Sequence, residues 1–356
     1  MIKADYLTVN SKIHALESYL LKNNDYEELS QRNSVPDIAR YLRDNTVYAS
    51  LLKSIEPESI HRRDLEVIIK RRLMRVMLSL INYFHNQKRK FVILLLKRFE
   101  IENLKYSIRN ALIEGTKSKE EIEEKLYNLG KYSSVNFIKI ISAKSTDELL
   151  TVIENTSYYD VIRNAISIQS GSHENLIHLI ENALDTHYET KLQKEAESLG
   201  KKEYEIIMDY IGTRIDLKNL EWIVRAKMFY ELSAEQLYNS LIRVRRNLNF
   251  DYLRMACDTK NAEEAVDFFA KGPYGSIFTE LNEEDLPFEL ARRIDRYFYR
   301  LVCSKKMENE FTIGKLMEYL YFLEYESEDL IRLIEAIRYS IDTEKIPDYL
   351  IRELDM

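Results

Sequence analysis

Three observations predict an all-α protein: helix breakers are scarce, apolar residues recur at helical spacing, and one helical signature occurs three times. Gly numbers 8 and Pro 5 among 356 residues, while Leu, Ile, Tyr, Glu and Lys abound. So few breakers fit long helices joined by short turns, not a sheet protein with its many tight turns. The length allows two or three domain-sized units, each burying a modest core.

Taken in order, the first element is an amphipathic helix from Ala4 to Leu21, because Tyr6, Val9, Ile13, Leu16, Leu20 and Leu21 fall at helical spacing. Ser34-Val35-Pro36-Asp37 predicts the next helix start. Ser caps, Pro tolerates the first turn because its missing N–H would be unpaired there, and Asp complements the positive helix end. This short helix leads to Asn45-Thr46-Val47-Tyr48.

The same unit returns twice. Ser145-Thr146-Asp147-Glu148 reads as a capping box and precedes Asn155-Thr156-Ser157-Tyr158. Asn261-Ala262-Glu263-Glu264 stands in the same relation to Lys271-Gly272-Pro273-Tyr274. Tyr48, Tyr158 and Tyr274 lie 13 residues after Val35, Ser145 and Asn261.

Each landmark tyrosine is followed by a long apolar-periodic stretch: Leu65 to Arg98, Glu174 to Tyr210 and Phe288 to Leu323. A break is expected in the middle one at Glu197-Ser198-Leu199-Gly200. Then comes the second signature. Phe99 to Arg109 recurs as Ile215 to Arg225 and, altered, as Tyr325 to Glu335. All three have an acid three residues before Asn103, Asn219 or Asp329, and a Leu directly after it.

Asn103 to Asn219 is 116 residues and Asn219 to Asp329 is 110. The two signatures keep step, with 55 residues from Tyr48 to Asn103, 61 from Tyr158 to Asn219 and 55 from Tyr274 to Asp329. The chain is therefore expected to be a triplicated helical module, with domains at 1–143, 144–259 and 260–356. This period exceeds the roughly 34 to 47 residues of helical-pair solenoid units, so each module reads as a small domain. Further capped helices are expected at Ser118 with Glu121 and at Ser233 with Gln236, after the first two motif helices only. Either the opening helix completes the third module from the other end, or that module is shorter.

The repeated Asn103, Asn219 and Asp329 read as structural. Asn is a modest helix former, and a buried amide needs a partner, so a tie to a neighbouring backbone is expected. Arg109 and Arg225 occupy one register, where the third copy has Glu335, so a fixed functional charge in every module is not expected, and an interface role in two modules is the alternative. Tyr48, Tyr158 and Tyr274 are expected to pack their rings and leave the hydroxyl near water or a turn carbonyl. Lys88, Arg89 and Lys90, and Arg243, Arg245 and Arg246, read as solvated helix faces, with contact to an acidic partner as the alternative.

Several function classes find no support. His14, His61, His85, His173, His178 and His187 form no metal-ligand motif, and Gly272-Pro273-Tyr274-Gly275 is a turn within a repeat rather than a phosphate loop. No catalytic, cofactor-binding or metal residue is assigned. Cys257 and Cys303 form no disulfide framework, which fits a reducing compartment. The net charge of −7, spread along the chain, argues against a general nucleic-acid binder. The N-terminus has no apolar signal core. The longest apolar run, Phe91 to Leu96, is far short of the ~18 to 20 residues that span a bilayer. Work at a membrane would go through an embedded partner.

With these repeats in view, the chain resembles the C subunit of the archaeal and bacterial V-type (A-type) rotary ATPases, equivalent to the d subunit of the eukaryotic vacuolar enzyme. Tyr6 to Leu21 is similar to the family's opening helix, and Glu100 to Arg109 and Asp216 to Arg225 to its paired internal motifs. The resemblance implies three similar helical domains in a pseudo-threefold funnel. It further implies a seat on the cytoplasmic mouth of the membrane proteolipid ring, with the D and F subunits of the central stalk in the funnel. Such a socket passes torque and needs no cofactor or nucleotide of its own. The runner-up reading is a soluble α-helical adaptor outside the rotary machine, and the third is an enzyme.

Overall fold

The structure is a computed structural model that describes residues 2–114, 118–167, 173–279, 281 and 286–353, with the side chains of 2–5, 114, 119, 173–175 and 287 excepted. The side chains of Ala4, His173 and Glu174 thus lie outside the described residues. Those described form helices and turns, with no strand among them. They group into two compact units, Met77–Tyr204 with Ile242–Val244, and Met1–Val76 with Glu205–Leu241 and Arg245–Met356.

In the first of these units the Asn103 motif lies on helix Asn86–Arg109, which runs into a π turn at Asn110–Glu114. Ile101, Leu104 and Ile108, at helical spacing, carry one face of it into a core with Ile140, Leu149, Ile153, Ile162, Ile180 and Leu184. The apolar stretch after Tyr158 becomes helix His173–Glu197 and stops where the break is expected. Gly200 has φ +93°, a left-handed conformation in which glycine carries no Cβ penalty, and the Asn219 helix Lys201–Phe229 starts beyond it.

In the other unit the Asp329 motif lies on helix Ile313–Arg338. Leu330, Leu333 and Ile334 share a core with Leu21, Tyr26, Leu29, Ile38, Leu42, Tyr48 and Leu65, so the two ends of the chain fold onto each other. In place of a third capped helix, the chain continues to the short helix Ile346–Tyr349, which plants Ile346 and Leu350 in that core.

Capping follows the sequence closely, because it is decided within four residues. The side chains of Ser34, Ser145 and Asn261 accept from the backbones of Asp37, Glu148 and Glu264. Ser118 with Glu121 and Ser233 with Gln236 form complete capping boxes. At Ser145 the box is half formed, since the Glu148 carboxylate accepts from Lys144 N–H instead. The opening helix departs from expectation and ends at Glu17, not Leu21. A helix through Leu21 would commit its N–H to the Glu17 carbonyl. That N–H donates instead to the buried Glu326 carboxylate at 2.6 Å, and Arg352 donates to the Leu21 carbonyl at 3.2 Å.

Candidate functional site

The landmark tyrosines and the acids of the motif helices come together as three buried pairs. Tyr158 Oη donates to Glu100 at 2.6 Å, Tyr274 Oη to Asp216 at 2.8 Å and Tyr48 Oη to Glu326 at 3.0 Å. The hydroxyls therefore meet buried carboxylates, where a turn carbonyl or water was expected. Each ring is at most 5% exposed and each carboxylate is 0% exposed, so each hydroxyl needs an acceptor inside the core. An ionised carboxylate is a strong one. Burial, then the neighbouring carboxylate, pushes the ionisation of all three tyrosines upward, so they stay protonated donors.

Tyr158 and Tyr274 each pair with the acid of the motif copy before them and reach back 58 residues, while Tyr48 has no motif copy before it and reaches 278 residues along the chain to Glu326. The offset of 58 is present in the sequence for two of the pairs, but only the fold marks these residues as partners.

The three acids complete their coordination differently. Asp216, the shortest, accepts from the backbone N–H groups of Arg246, Asn247 and Leu248, at 3.1, 2.6 and 3.2 Å. Glu326 takes the Leu21 N–H and the guanidinium of Arg72, which itself lies over the Tyr48 ring. Glu100 takes Lys97 Nζ at 2.7 Å. Burial raises the Asp216 and Glu326 carboxyls above their ordinary values, against these donors.

The repeated amide forms a two-point backbone tie in the first copy. Asn103 Nδ2 donates to the Tyr127 carbonyl at 2.8 Å, and Asn103 Oδ1 accepts the Tyr127 N–H at 2.9 Å. Asn219 is 2% exposed at the same register. Asp329 in the third copy accepts the Ile351 N–H at 2.6 Å and Arg352 Nε at 3.2 Å. The change to Asp gives up the amide's donor and brings in an arginine, whose guanidinium lies 3.9 Å from the Tyr26 ring centre.

The motif-end charges each find a local opposite. Arg109 pairs with Glu181 at 2.6 Å, Arg225 with Glu221 at 3.4 Å, and Glu335 with Arg62. Of the basic clusters, Arg246 pairs with Glu205 and Asp209 at 2.7 and 2.8 Å, Arg245 covers the Phe250 ring at 3.7 Å, and Arg89 donates to the Ile81 carbonyl at 3.2 Å. Lys90 and Arg243 are exposed, and Lys88 is half-buried. Among the described residues no three His, Cys, Asp or Glu side chains are grouped to hold a metal ion. No helix among them is long and apolar enough to cross a membrane.

One repeated feature escaped the sequence reading. Ile113, Phe229 and Tyr339 each lie ten residues after Asn103, Asn219 and Asp329, at or just past the end of the motif helix, and are 42%, 60% and 67% exposed. Their signal was the constant offset. Periodicity alone assigns apolar residues to the core, which hid it.

The sequence model of the family described as ATP synthase (C/AC39) subunit matches residues 9–349. Among similar proteins are the A-type ATP synthase C subunits of three archaea. That of Methanobrevibacter smithii is 22% identical, over 94% of this chain and 84% of its own. That of Methanocaldococcus jannaschii is 23% identical over 98% and 86%. That of Pyrococcus horikoshii is 24% identical over 96% and 88%.

Proposed function

The chain belongs to the ATP synthase (C/AC39) subunit family, and from that membership we propose that it is a non-catalytic central-rotor subunit of a V/A-type ATPase. In this reading it is the socket between the D and F subunits of the central stalk and the membrane proteolipid ring. It couples ATP hydrolysis or synthesis to proton or sodium transport, from the cytoplasmic face, through three helical domains at 1–143, 144–259 and 260–356 arranged as a funnel.

The observation that carries the reading is the division of labour within each motif helix. Tyr48, Tyr158 and Tyr274 spend their hydroxyls on the motif acids, and Asn103 and Asp329 are tied to backbone. The same helices leave Ile113, Phe229 and Tyr339 exposed in one register. Internal ties of this kind resist deformation under load. Exposed apolar ends suit contact with partner proteins.

Co-purification of the tagged chain from intact membranes tests the proposal. Recovery with proteolipid and stalk proteins is expected. Recovery as a free protein, with those proteins left in the membrane fraction, would overturn it in favour of a separate helical adaptor.

A further inference from the structure

The opening helix Ile2–Glu17 buries Tyr6, Val9 and Ile13 and packs against the Asp329 helix Ile313–Arg338. Asn10, His14 and Glu17, at i, i+4 and i+7, share another face of it. That face meets charges at the start of the Asp329 helix. Asn10 Nδ2 donates to Glu310 at 3.1 Å, and Lys315 Nζ lies 2.7 Å from Glu17 and 3.6 Å from Glu310. Glu310 stands in the turn between helices Leu286–Ser304 and Ile313–Arg338. Its neighbour Phe311 has φ +59°, a left-handed conformation uncommon for a residue with a Cβ, so this turn is strained and depends on the contacts that hold it.

His14 meets both acids, and only one of its protonation states suits that position. Nδ1 lies 3.0 Å from Glu17 and Nε2 3.3 Å from Glu310. A neutral imidazole carries one N–H, so it donates to one of these carboxylates and turns a lone pair toward the other. An imidazolium donates to both. Its charge also offsets a local excess, because Glu17, Glu310 and Glu318 gather about the ammonium of Lys315, itself 1% exposed. Burial raises the Glu318 carboxyl, against Lys315, and keeps Tyr319, near Glu17, in its protonated form. The imidazole is half-exposed, so it exchanges protons with solvent directly.

We propose that His14 is a pH-sensitive clasp: its imidazolium bridges Glu17 and Glu310 and fastens the opening helix to the turn before the Asp329 helix, and loss of its proton to solvent loosens that helix. Protonation favours the fastened helix because the imidazolium gains the Glu310 carboxylate there. Imidazoles change charge between about pH 5 and 8, so the clasp closes on acidification and opens as pH rises. It stands apart from the rotor reading and survives the failure of that reading.

Hydrogen–deuterium exchange of the intact chain, compared with that of His14→Gln, tests this. Gln keeps an N–H donor and takes up no proton. At pH 5.5, amides of the opening helix should exchange about two- to fivefold more slowly in the unaltered chain than in His14→Gln, and at pH 8 at nearly the same rate. Glu318, Glu328 and the other carboxyls are present in both chains, so their titration cancels in the comparison. Glu310→Gln gives a second comparison with the imidazole retained, and at pH 5.5 it should exchange nearly as fast as His14→Gln. A ratio between the unaltered chain and His14→Gln that is the same at both pH values, or larger at pH 8, would overturn the proposal. So would Glu310→Gln exchanging as slowly as the unaltered chain at pH 5.5. Both side chains are partly exposed, where substitutions usually cost little stability, and should one variant fail to fold, the other decides.

Discussion

Tyr158 illustrates the residue scale. Replacing it with Phe keeps the ring and removes the donor, leaving Glu100 buried with one partner fewer. Glu100 keeps Lys97 but loses one of its two donors, and a hydrogen bond to a charged group contributes about 1.5 to 3 kcal/mol, so urea unfolding of Tyr158→Phe should show a loss of that size. A neutral effect would mean that the pair is unimportant to stability. Glu328 makes a different prediction through pH. Its folded carboxyl is raised to about 8, above the ordinary value, so its contribution to stability is full below the unfolded value of about 4.3 and is lost as pH rises through about 8. Between pH 4.5 and 8.5 the unaltered chain should lose stability relative to Glu328→Gln, on the order of a few kcal/mol. Parallel pH profiles of the two chains would refute the assignment. Neither role was legible from residue identity, because carboxylates are abundant along the chain and only burial singles these out.

The element scale divides local signals from remote ones. The caps at Ser34, Ser118, Ser145, Ser233 and Asn261 were readable because donor and acceptor lie within one turn. The end of the opening helix at Glu17 was not readable, because the carboxylate that claims Leu21 lies 305 residues away. The exposed ends of the motif helices invite a direct experiment. Ile113→Asp, Phe229→Asp and Tyr339→Asp alter exposed sites, where substitutions usually stay within about 0.5 kcal/mol. Combined, they should leave thermal unfolding nearly unchanged while reducing recovery of ring or stalk proteins in the membrane co-purification. Unreduced recovery would remove these ends from the contact surface.

For the whole molecule, the family match runs from residue 9 to residue 349. The three copies follow one pairing rule, carried across the chain ends by Tyr48 and Glu326. Its closure gives the N-terminal segment a share in the stability of the Asp329 helix. Tyr26 and Leu29 are each 0% exposed, and burying an apolar side chain contributes roughly 1.5 to 3 kcal/mol. Deleting residues 1–30 should therefore open the unit that contains Asp329, seen as rapid proteolysis of its Ile313–Arg338 helix while Asn86–Arg109 stays protected. Equal protection of both helices would show that the closure carries little energy.

The sequence by itself determined the helical class, the capped starts, the break at Gly200 and the phase of three copies, since each rests on periodicity or on contacts within a few residues. Tertiary structure alone decided which acid each tyrosine meets, which donors complete Asp216 and Glu326, and that Glu310 meets His14. Those outcomes depend on desolvation and on partners from other helices, in several cases at the far end of the chain, and no local pattern encodes them.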